Sequence, residues 1–335
     1  MKLETIISKI AQLEEIQTNP PVLVDVGASG ALIPQWKNIA HFSICIAFDA
    51  DDREFDFIEK ESNDFKKLFV FNRIVTDKLE NGKDEATFYL TNNPYCSSLL
   101  EPFDSKGEKM ENYYFADYFE VEKQTTLKAI TLNDALKQVE VPQIDWFKTD
   151  SQGIDLRLFT SLSKELQDKT IVAEFEPGFV DIYKGEDKII DVLQELSKNS
   201  LFFLTEFDVK RVVQLSQTTF QRLYPTKVKQ DAALNALRTV PAWSEMTYMN
   251  NLKTDKTPTK RDFILGWLFS TIQNHHDLAF NYATQAKEKL SKEELNDNLF
   301  HDLQNYSYDE LENILASTKG AFQHFKYTVK KFLKG

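Results

Sequence analysis

The sequence alternates short apolar runs with charged stretches of helical character between about residues 20 and 220. The apolar runs are rich in β-branched and aromatic residues, namely PVLVDVG (21–27), FSICIAFDA (42–50), FVFNRIVT (69–76), IDWFKTD (144–150), TIVAEFEP (170–177) and LFFLTEFD (201–208). Such runs are typical of buried strands in a parallel sheet. Segments between them, such as ESNDFKKL and GEDKIIDVLQELSKN, have the amphipathic pattern of crossover helices. We therefore expect an α/β protein with a doubly wound, mostly parallel sheet.

Residues 86–130 interrupt this alternation. The segments ATFYLTN and YFEVEKQTTLKAI flank a long loop and predict a β-hairpin insertion. Loops of that length usually carry function or are disordered.

The chain is expected to have three parts. We predict an α/β domain over 1–225, which includes an N-terminal helix over 1–20, then an extended linker over 226–260, where the polar residues and three prolines between 225 and 260 disfavour regular structure. We predict a helical domain over 261–335. Within it, SKEE (291–294) and SYDE (307–310) match the Ser-x-x-Glu box that opens a helix.

The composition excludes several classes of protein. The chain has 40 Lys and Arg against 52 Asp and Glu, so its net charge of −12 disfavours nucleic acid as a partner. Two cysteines are too few for a disulfide framework and fit a reducing cytoplasm. Neither a signal peptide nor an apolar run of the roughly 20 residues needed to span a bilayer is visible. We expect a soluble, cytoplasmic protein.

The C-terminal segment has the opposite charge. Residues 319–335 contain five lysines and no acidic residue. At helical spacing, one face would hold Phe322, Phe325, Val329, Phe332 and Leu333. Two interpretations stay open: a terminal helix packed on the core with its lysines in water, or a weak peripheral contact with an anionic membrane.

The motif VDVGASG (24–30) follows the start of the first apolar run. Gly27 and Gly30 allow a sharp turn and a close approach of ligand to backbone. The pattern is not G-x-G-x-x-G, which disfavours a nicotinamide dinucleotide. Asp25 suits a ligand with a positive charge. An ordinary strand-to-helix turn is the alternative.

Acidic side chains recur at the predicted carboxyl ends of the strands, where open parallel sheets bind ligands. Asp49 lies 22 residues after Gly27, a position from which a carboxylate accepts hydrogen bonds from ribose hydroxyls. The other predicted strand-end residues are Asp25, Thr76, Asp77, Asp150 and Glu176. His41 falls at the opposite end of its strand, so the general base would be a carboxylate or a tyrosine.

Two polar segments are expected to complete the pocket. KTDSQG (148–153) closes the fourth run, and the turn TNNPYCSSLLEP (91–102) would bring Tyr95, Ser97 and Ser98 over it. A helix N-cap and a surface turn are the respective alternatives. Cys96 has no histidine or cation near it in sequence, so we do not expect a nucleophilic thiolate.

Together these segments resemble the FkbM family of S-adenosylmethionine-dependent methyltransferases. The resemblance rests on VDVGASGALIPQW, FDADDREF, ATFYLTNNPYCSSLLEP, TLNDAL and IDWFKTDSQGIDL, continues weakly through VAEFEPGFVDIYKGEDKIIDVL, and covers roughly residues 20–208. It implies a class I methyltransferase fold, which is Rossmann-like, and S-adenosyl-L-methionine as cofactor. It also implies O-methylation of a sugar or glycan hydroxyl. The helical C-terminal region lies outside it.

The predicted roles follow from this resemblance and from the strand-end positions. The cofactor-binding residues would be Asp25, Gly27, Ala28, Ser29, Gly30, Asp49, Ala50, Thr76, Asp77 and Asp150. The acceptor would contact Tyr95, Ser97, Ser98 and Gln152. Asp150 is the first candidate for the general base and Glu176 the second.

The expected reaction depends mostly on alignment, because a sulfonium is already a good leaving group. We predict no resident metal, and a variant in which Asp150 and another carboxylate bind Mg²⁺ is an alternative. Two other functions stay open: methylation of a small metabolite at oxygen or nitrogen, and a non-catalytic module that docks a partner through its helical domain.

Overall fold

A computed structural model describes residues 2–28, 33–50, 64–79, 82–104, 106–107, 109–198, 200–253, 257–295 and 298–332, with side chains up to residue 318. The chain divides into two compact units. One unit comprises residues 21–33 and 40–254 and is an α/β domain. The other comprises residues 1–20, 34–39 and 255–335 and is helical in its described part.

The described strands are β1 (Val22–Val26), β2 (Ile44–Phe48), β3 (Lys67–Phe71), β4 (Ile74–Thr76), β5 (Glu85–Thr91), β6 (Val121–Thr131), β7 (Trp146–Thr149), β8 (Val172–Phe175), β9 (Phe202–Val212) and β10 (Val240–Asn250). The described α-helices are α1 (Leu3–Ala11), α2 (Glu14–Thr18), α3 (Leu132–Gln138), α4 (Asp155–Thr160), α5 (Lys164–Lys169), α6 (Ile189–Lys198), α7 (Gln217–Leu223), α8 (Lys227–Ala236), α9 (Lys260–Ile272), α10 (His276–Lys289) and α11 (Leu299–Phe332).

The main sheet of the α/β domain confirms the prediction of a mostly parallel, Rossmann-like sheet. Within the described residues its order is β3-β2-β1-β7-β8-β10-β9. Strands β3 to β8 run parallel in that order, whereas β10 is antiparallel to both of its neighbours. The order reverses direction at β1, which places the carboxyl ends of β1, β2 and β7 around one crevice.

Apolar side chains on one face of this sheet form the core of the domain. The alternate residues of β1, Val22, Val24 and Val26, pack there with Ile46 and Phe147. The opposite face carries polar side chains, because Asp25, Lys148 and Glu174 stand side by side on three adjacent strands. The same face also buries Leu23 and Trp146, so these charged side chains belong to a sheet that is packed on both faces.

The predicted hairpin insertion is confirmed. Strand β5 pairs antiparallel with β6, and β4 adds to β6 in parallel, which gives a three-stranded sheet among the described residues.

The run FVFNRIVT was predicted as one strand, and this is wrong. Its first half belongs to β3 in the main sheet and its second half is β4 in the small sheet. The two pair with different partners because Asn72 and Arg73 separate them. The predicted crossover helix ESNDFKKL lies partly outside the described residues, and its last two residues belong to β3.

The linker predicted for 226–260 is also wrong. Residues 227–236 form α8, and residues 240–250 form β10, which pairs with both β8 and β9. The prolines misled the prediction because Pro241 lies next to a β-bulge, where a missing N–H is tolerated. The α/β domain therefore extends to residue 254.

The N-terminal helix was assigned to the α/β domain, whereas α1 and α2 belong to the helical unit. In that unit Arg261 donates to the backbone oxygens of Asn19 at 2.8 Å and Pro20 at 3.0 Å. Trp267 donates to Ser307 Oγ at 2.9 Å, which joins α9 to α11. Contacts this distant in sequence leave no local pattern, so the periodicity of residues 1–20 could not reveal them.

The two predicted helix starts of the C-terminal region are wrong. Ser291 and Glu294 make the reciprocal bonds of a capping box but stand in a turn. Residues 307–310 lie inside α11. The observed capping box joins Thr259 and Asp262 at the start of α9.

Two further features bear on a membrane. None of the described helices is both long and apolar enough to cross a bilayer. The apolar face predicted for residues 322–333 lies outside the described side chains.

Candidate functional site

A cleft of about 710 Å³ opens at the carboxyl ends of β1, β2 and β7. This volume includes space that is open to solvent. Its described lining residues are Val26, Gly27, Phe48, Asp49, Ala50, Arg73, Ile74, Val75, Phe88, Pro94, Tyr95, Ser97, Leu99, Asp150, Ser151 and Gln152. The lining combines an apolar wall with two carboxylates.

Gly27 forms the turn that ends β1. Its φ of 81° is in the left-handed region, which favours glycine. A β-carbon there would collide with the backbone oxygen of Asp150 and lie 3.2 Å from its carbonyl carbon. The amides of Gly27 and Ala28 both donate to Phe48 O at 3.0 Å. The glycine thus lets the ends of β1, β2 and β7 converge. Ser29 and Gly30 lie outside the described residues.

Asp49 and Ala50, two of the predicted cofactor-binding residues, follow β2 and line the cleft. Asp49 is buried, and its amide donates to Phe71 O at 3.2 Å. Half-buried Arg73 is the one cation among the described lining residues. The sequence reasoning missed Arg73 because it treated residues 69–76 as one buried strand.

Thr76 and Asp77 are not brought into this cleft. They line a second cleft of about 830 Å³, together with Glu85 and Arg157. The Thr76 hydroxyl donates to the backbone oxygen of Lys78 at 3.1 Å. Arg73, Ile74 and Val75 line the first cleft, and the chain leaves that cleft at Thr76.

Asp25 does not line the cleft. Its carboxylate forms an ion pair with Lys148 on the neighbouring strand, with 3.2 Å between Asp25 Oδ1 and Lys148 Nζ. The sequence predicted that Asp25 would face a positively charged ligand, but a lysine of the chain itself already occupies that position. A lysine inside an apolar strand was the only sequence feature that could have indicated this pair.

The two candidate bases stand next to each other. Asp150 and Glu176 each lie two residues beyond the paired residues Lys148 and Glu174 of β7 and β8, and their carboxyl groups are within hydrogen-bonding reach. Asp150 lines the cleft, and Glu176 is absent from its lining. Glu176 therefore stands behind Asp150.

The electrostatics of this pair distinguish its members. Burial, and then the neighbouring carboxylates of Asp150 and Asp155, raise the pKa of Glu176 to about 9. Burial also raises the pKa of Asp150, but Lys148 and the side chains of Gln152 and Glu176 oppose that rise. Glu176 is therefore the member of the pair that keeps a proton at neutral pH and can donate it to the Asp150 carboxyl group.

Lys148 supplies the positive charge of this region. Burial on its own would lower its pKa, but the carboxylates of Asp25, Asp150, Glu174 and Glu176 raise the pKa of Lys148 above its ordinary value. Lys148 remains charged and offsets part of the repulsion among these acids.

Asp155 has a structural position at the start of α4. It accepts hydrogen bonds from Thr149 Oγ1 at 3.1 Å, from the Ser151 amide at 2.9 Å and hydroxyl, and from the Glu176 amide at 2.6 Å. Burial raises its pKa to about 6. These bonds fix the loop after β7 relative to the end of β8.

Gln152 connects Asp150, of the Asp150–Glu176 pair, to the turn that carries Ser98. Its φ of 57° is unusual for a non-glycine residue. Its side-chain amide donates to Asp150 Oδ1, and its Oε1 accepts from the Tyr183 hydroxyl at 2.8 Å. The backbone oxygen of Gln152 accepts from Ser98 Oγ at 2.7 Å.

The predicted acceptor residues are largely brought together. Exposed Tyr95, buried Ser97 and Gln152 line the cleft, and Ser98 is buried beneath it as a link to Gln152. Cys96 is buried, and burial followed by the Asp150 charge raises the pKa of its thiol to about 12, which disfavours a thiolate. Tyr183, which the sequence reasoning did not consider, bonds to Gln152 and to the backbone of Cys96.

No group of three or more His, Cys, Asp or Glu among the described residues suits a metal ion. Comparisons of the chain with protein-family models, with curated proteins and with solved structures find no match.

Proposed function

We propose that the chain is an S-adenosylmethionine-dependent O-methyltransferase that acts on a hydroxyl of a sugar, a glycan or a glycosylated intermediate. The observation that carries the proposal is the cleft in which the glycine turn of β1, Asp49 after β2 and Asp150 after β7 meet, with Glu176 next to Asp150. The motifs that resemble the FkbM family supply these same residues.

The strand order supports the finer assignment of the fold. The described sheet is doubly wound and mostly parallel, which is compatible with the Rossmann-like class I methyltransferase fold that the resemblance implies. Because one fold hosts many functions, the site must carry the rest of the argument.

The cleft lining suits the proposed cofactor chemically. Phe48, Val75 and Phe88 offer an apolar wall for an aromatic base, and Asp49 and Asp150 offer negative charge for ribose hydroxyls and a sulfonium. Gly27, Asp49 and Ala50 would hold this cofactor. When bound, it supplies an activated methyl group.

The carboxyl pair suits the removal of a hydroxyl proton. Asp150 lines the cleft and would accept the proton of the acceptor hydroxyl. Glu176, with its raised pKa, would keep its own proton and hold the Asp150 carboxylate in place. Tyr95 and Ser97 at the rim would orient the acceptor, so that the reaction gains mainly from alignment.

Methyl transfer is tested directly by incubation with methyl-labelled S-adenosylmethionine and a panel of sugars and glycan extracts. We expect label in the carbohydrate fraction as an alkali-stable ether, and labelling that is slower by about 10²–10⁴-fold with Asp150→Asn. Label in amines or small metabolites would redirect the proposal to those acceptors. Cofactor binding without transfer to any panel member would favour a binding module.

A further inference from the structure

Tyr183 connects two segments that flank the cleft. Its side chain is 3% exposed, and its hydroxyl oxygen lies 2.8 Å from both Cys96 O and Gln152 Oε1. Cys96 ends the short 3₁₀ helix Pro94–Cys96, whose Pro94 and Tyr95 line the cleft. Both of these oxygens are acceptors and the hydroxyl has one proton, so they share it in a three-centre hydrogen bond that joins the turn over the cleft to the loop that carries Asp150.

The Tyr183 hydroxyl also selects one orientation of the Gln152 amide. Because tyrosine donates to Oε1, the amide nitrogen of Gln152 must point the other way, toward Asp150 Oδ1. A flipped amide would place its oxygen against the Asp150 carboxylate. The Gln152 side chain bonds to both Asp150 and Tyr183, and its left-handed backbone holds it between them.

We propose that Tyr183 is a positioning residue, whose hydroxyl orients the Gln152 amide toward Asp150 and at the same time holds the Pro94–Cys96 turn over the cleft. The role in catalysis rests on the proposed function. The link between the turn and the loop does not depend on it.

The charged surroundings of Asp150 determine what loss of this link does. The titratable groups that face Asp150 are Lys148 on the same strand, Asp25 on β1, Glu176 after β8, Asp155 on α4, Cys96 in the turn and Tyr183 itself. Lys148, Gln152 and Glu176 favour the ionised form of Asp150. An unoriented Gln152 amide would remove one of these contributions and raise the pKa of Asp150.

Tyr183→Phe tests the link, since it removes the hydroxyl and keeps the ring. Tyr248→Phe is the matched control, because Tyr248 is a buried tyrosine of the same domain that packs on Phe175. The first readout is the rate at which a thiol reagent labels Cys96 in the folded protein. We expect it to rise about five-fold in Tyr183→Phe, the factor that matches one net hydrogen bond. Labelling of buried Cys45 should not change, which excludes global unfolding.

The second readout is the pKa of Asp150, from carboxyl-carbon NMR of ¹³C-aspartate-labelled protein with Asp150→Asn for assignment. In Tyr183→Phe we expect the pKa of Asp150 to rise by about 0.7 unit, which corresponds to the free energy of one net hydrogen bond. In a Gln152→Asn background, where the shorter amide cannot reach both partners, Tyr183→Phe should cause no further rise. The acidic limb of the pH–rate profile for methyl transfer should shift together with the pKa of Asp150.

Each outcome tests a different part of the proposal for Tyr183. Unchanged Cys96 labelling in a folded Tyr183→Phe protein would overturn the link to the turn. Faster labelling with an unchanged Asp150 pKa would overturn the positioning role and leave Tyr183 structural. If wild-type protein transfers no methyl group, the proposed function fails, but both readouts still test Tyr183.

Discussion

Gly27 packs directly against the backbone of Asp150, at the point where the neighbouring strands β1 and β7 end. A side chain at residue 27 would occupy the space of the Asp150 carbonyl group. The turn that faces the proposed cofactor and the residue that faces the acceptor are therefore in direct contact. A change in one is expected to displace the other.

Gly27→Ala should destabilise the α/β domain and abolish ligand binding. It combines the cost of a positive φ, about 1–2 kcal/mol, with a collision against backbone that cannot rotate away. Gly185→Ala is the matched control, because Gly185 has a φ of 74° and open space around its missing side chain. Thermal melts of the three proteins should show a clearly larger loss for Gly27→Ala. Equal losses would mean that the contact with Asp150 is unimportant.

Asp49→Ala should weaken binding of S-adenosylhomocysteine by about 1–3 kcal/mol, the cost of leaving hydroxyl partners unpaired. The reason is that Asp49 lines the cleft at the end of β2. Asp77→Ala should leave the affinity unchanged, because Asp77 lines the second cleft. Titration calorimetry compares the two variants with wild type. An effect of Asp77 in place of Asp49 would move the cofactor to the second cleft.

Asp150→Asn should reduce methyl transfer by about 10²–10⁴-fold, the usual contribution of a general base, with little change in stability. Glu176→Gln keeps a donor next to Asp150 and should stay active. Asp155→Asn should instead lower stability, since an amide group would face the donors that Asp155 now accepts from. Turnover and melting temperature of the three variants distinguish the general base from residues that only stabilise the site. Near-wild-type turnover of Asp150→Asn would shift the role to Glu176.

The free energy of unfolding should fall as pH rises from about 5 toward 9. The pKa of Glu176 is raised to about 9 in the folded protein, against about 4.3 for an unperturbed Glu. The folded state therefore holds a proton that the unfolded state has released, and this stabilisation is lost as pH rises through the folded pKa. The slope should approach about 1.4 kcal/mol per pH unit for this one proton.

Urea melts at successive pH values measure this slope. Glu176→Gln should flatten it above about pH 8, because Asp155 and Glu174, whose pKa values are raised to about 6 and about 7, are mostly ionised there. Glu165→Gln is the control, because Glu165 is exposed and paired with Lys169. A stability that rises over this range, or a slope that Glu176→Gln leaves intact, contradicts the raised pKa.

The parallel strands could be predicted from the sequence because their signal is local. Runs such as PVLVDVG and TIVAEFEP contain enough apolar and β-branched residues to indicate burial on both faces. Strand β10 could not be predicted in this way. It contains Pro241, Ser244 and Glu245, and it is a strand only because β8 and β9 both pair with it.

The site was predictable to the extent that it follows strand ends. Asp49, Asp150 and Glu176 follow β2, β7 and β8 directly, so the parallel topology alone brings them to one edge of the sheet. Lys148 and Tyr183 could not be found, because their roles depend on partners 123 and 31 residues away. Thr76 and Asp77 were misplaced because the end of β4 belongs to a different sheet.

The central claim is that the cleft at the ends of β1, β2 and β7 binds S-adenosylmethionine. Titration calorimetry of the full chain with S-adenosylhomocysteine, with NAD in a parallel titration, tests it most directly. The account predicts saturable binding of S-adenosylhomocysteine at a single site, lost in Gly27→Ala and weakened in Asp49→Ala, and no binding of NAD. Absence of S-adenosylhomocysteine binding to the folded wild-type protein, or tighter binding of NAD, would contradict it.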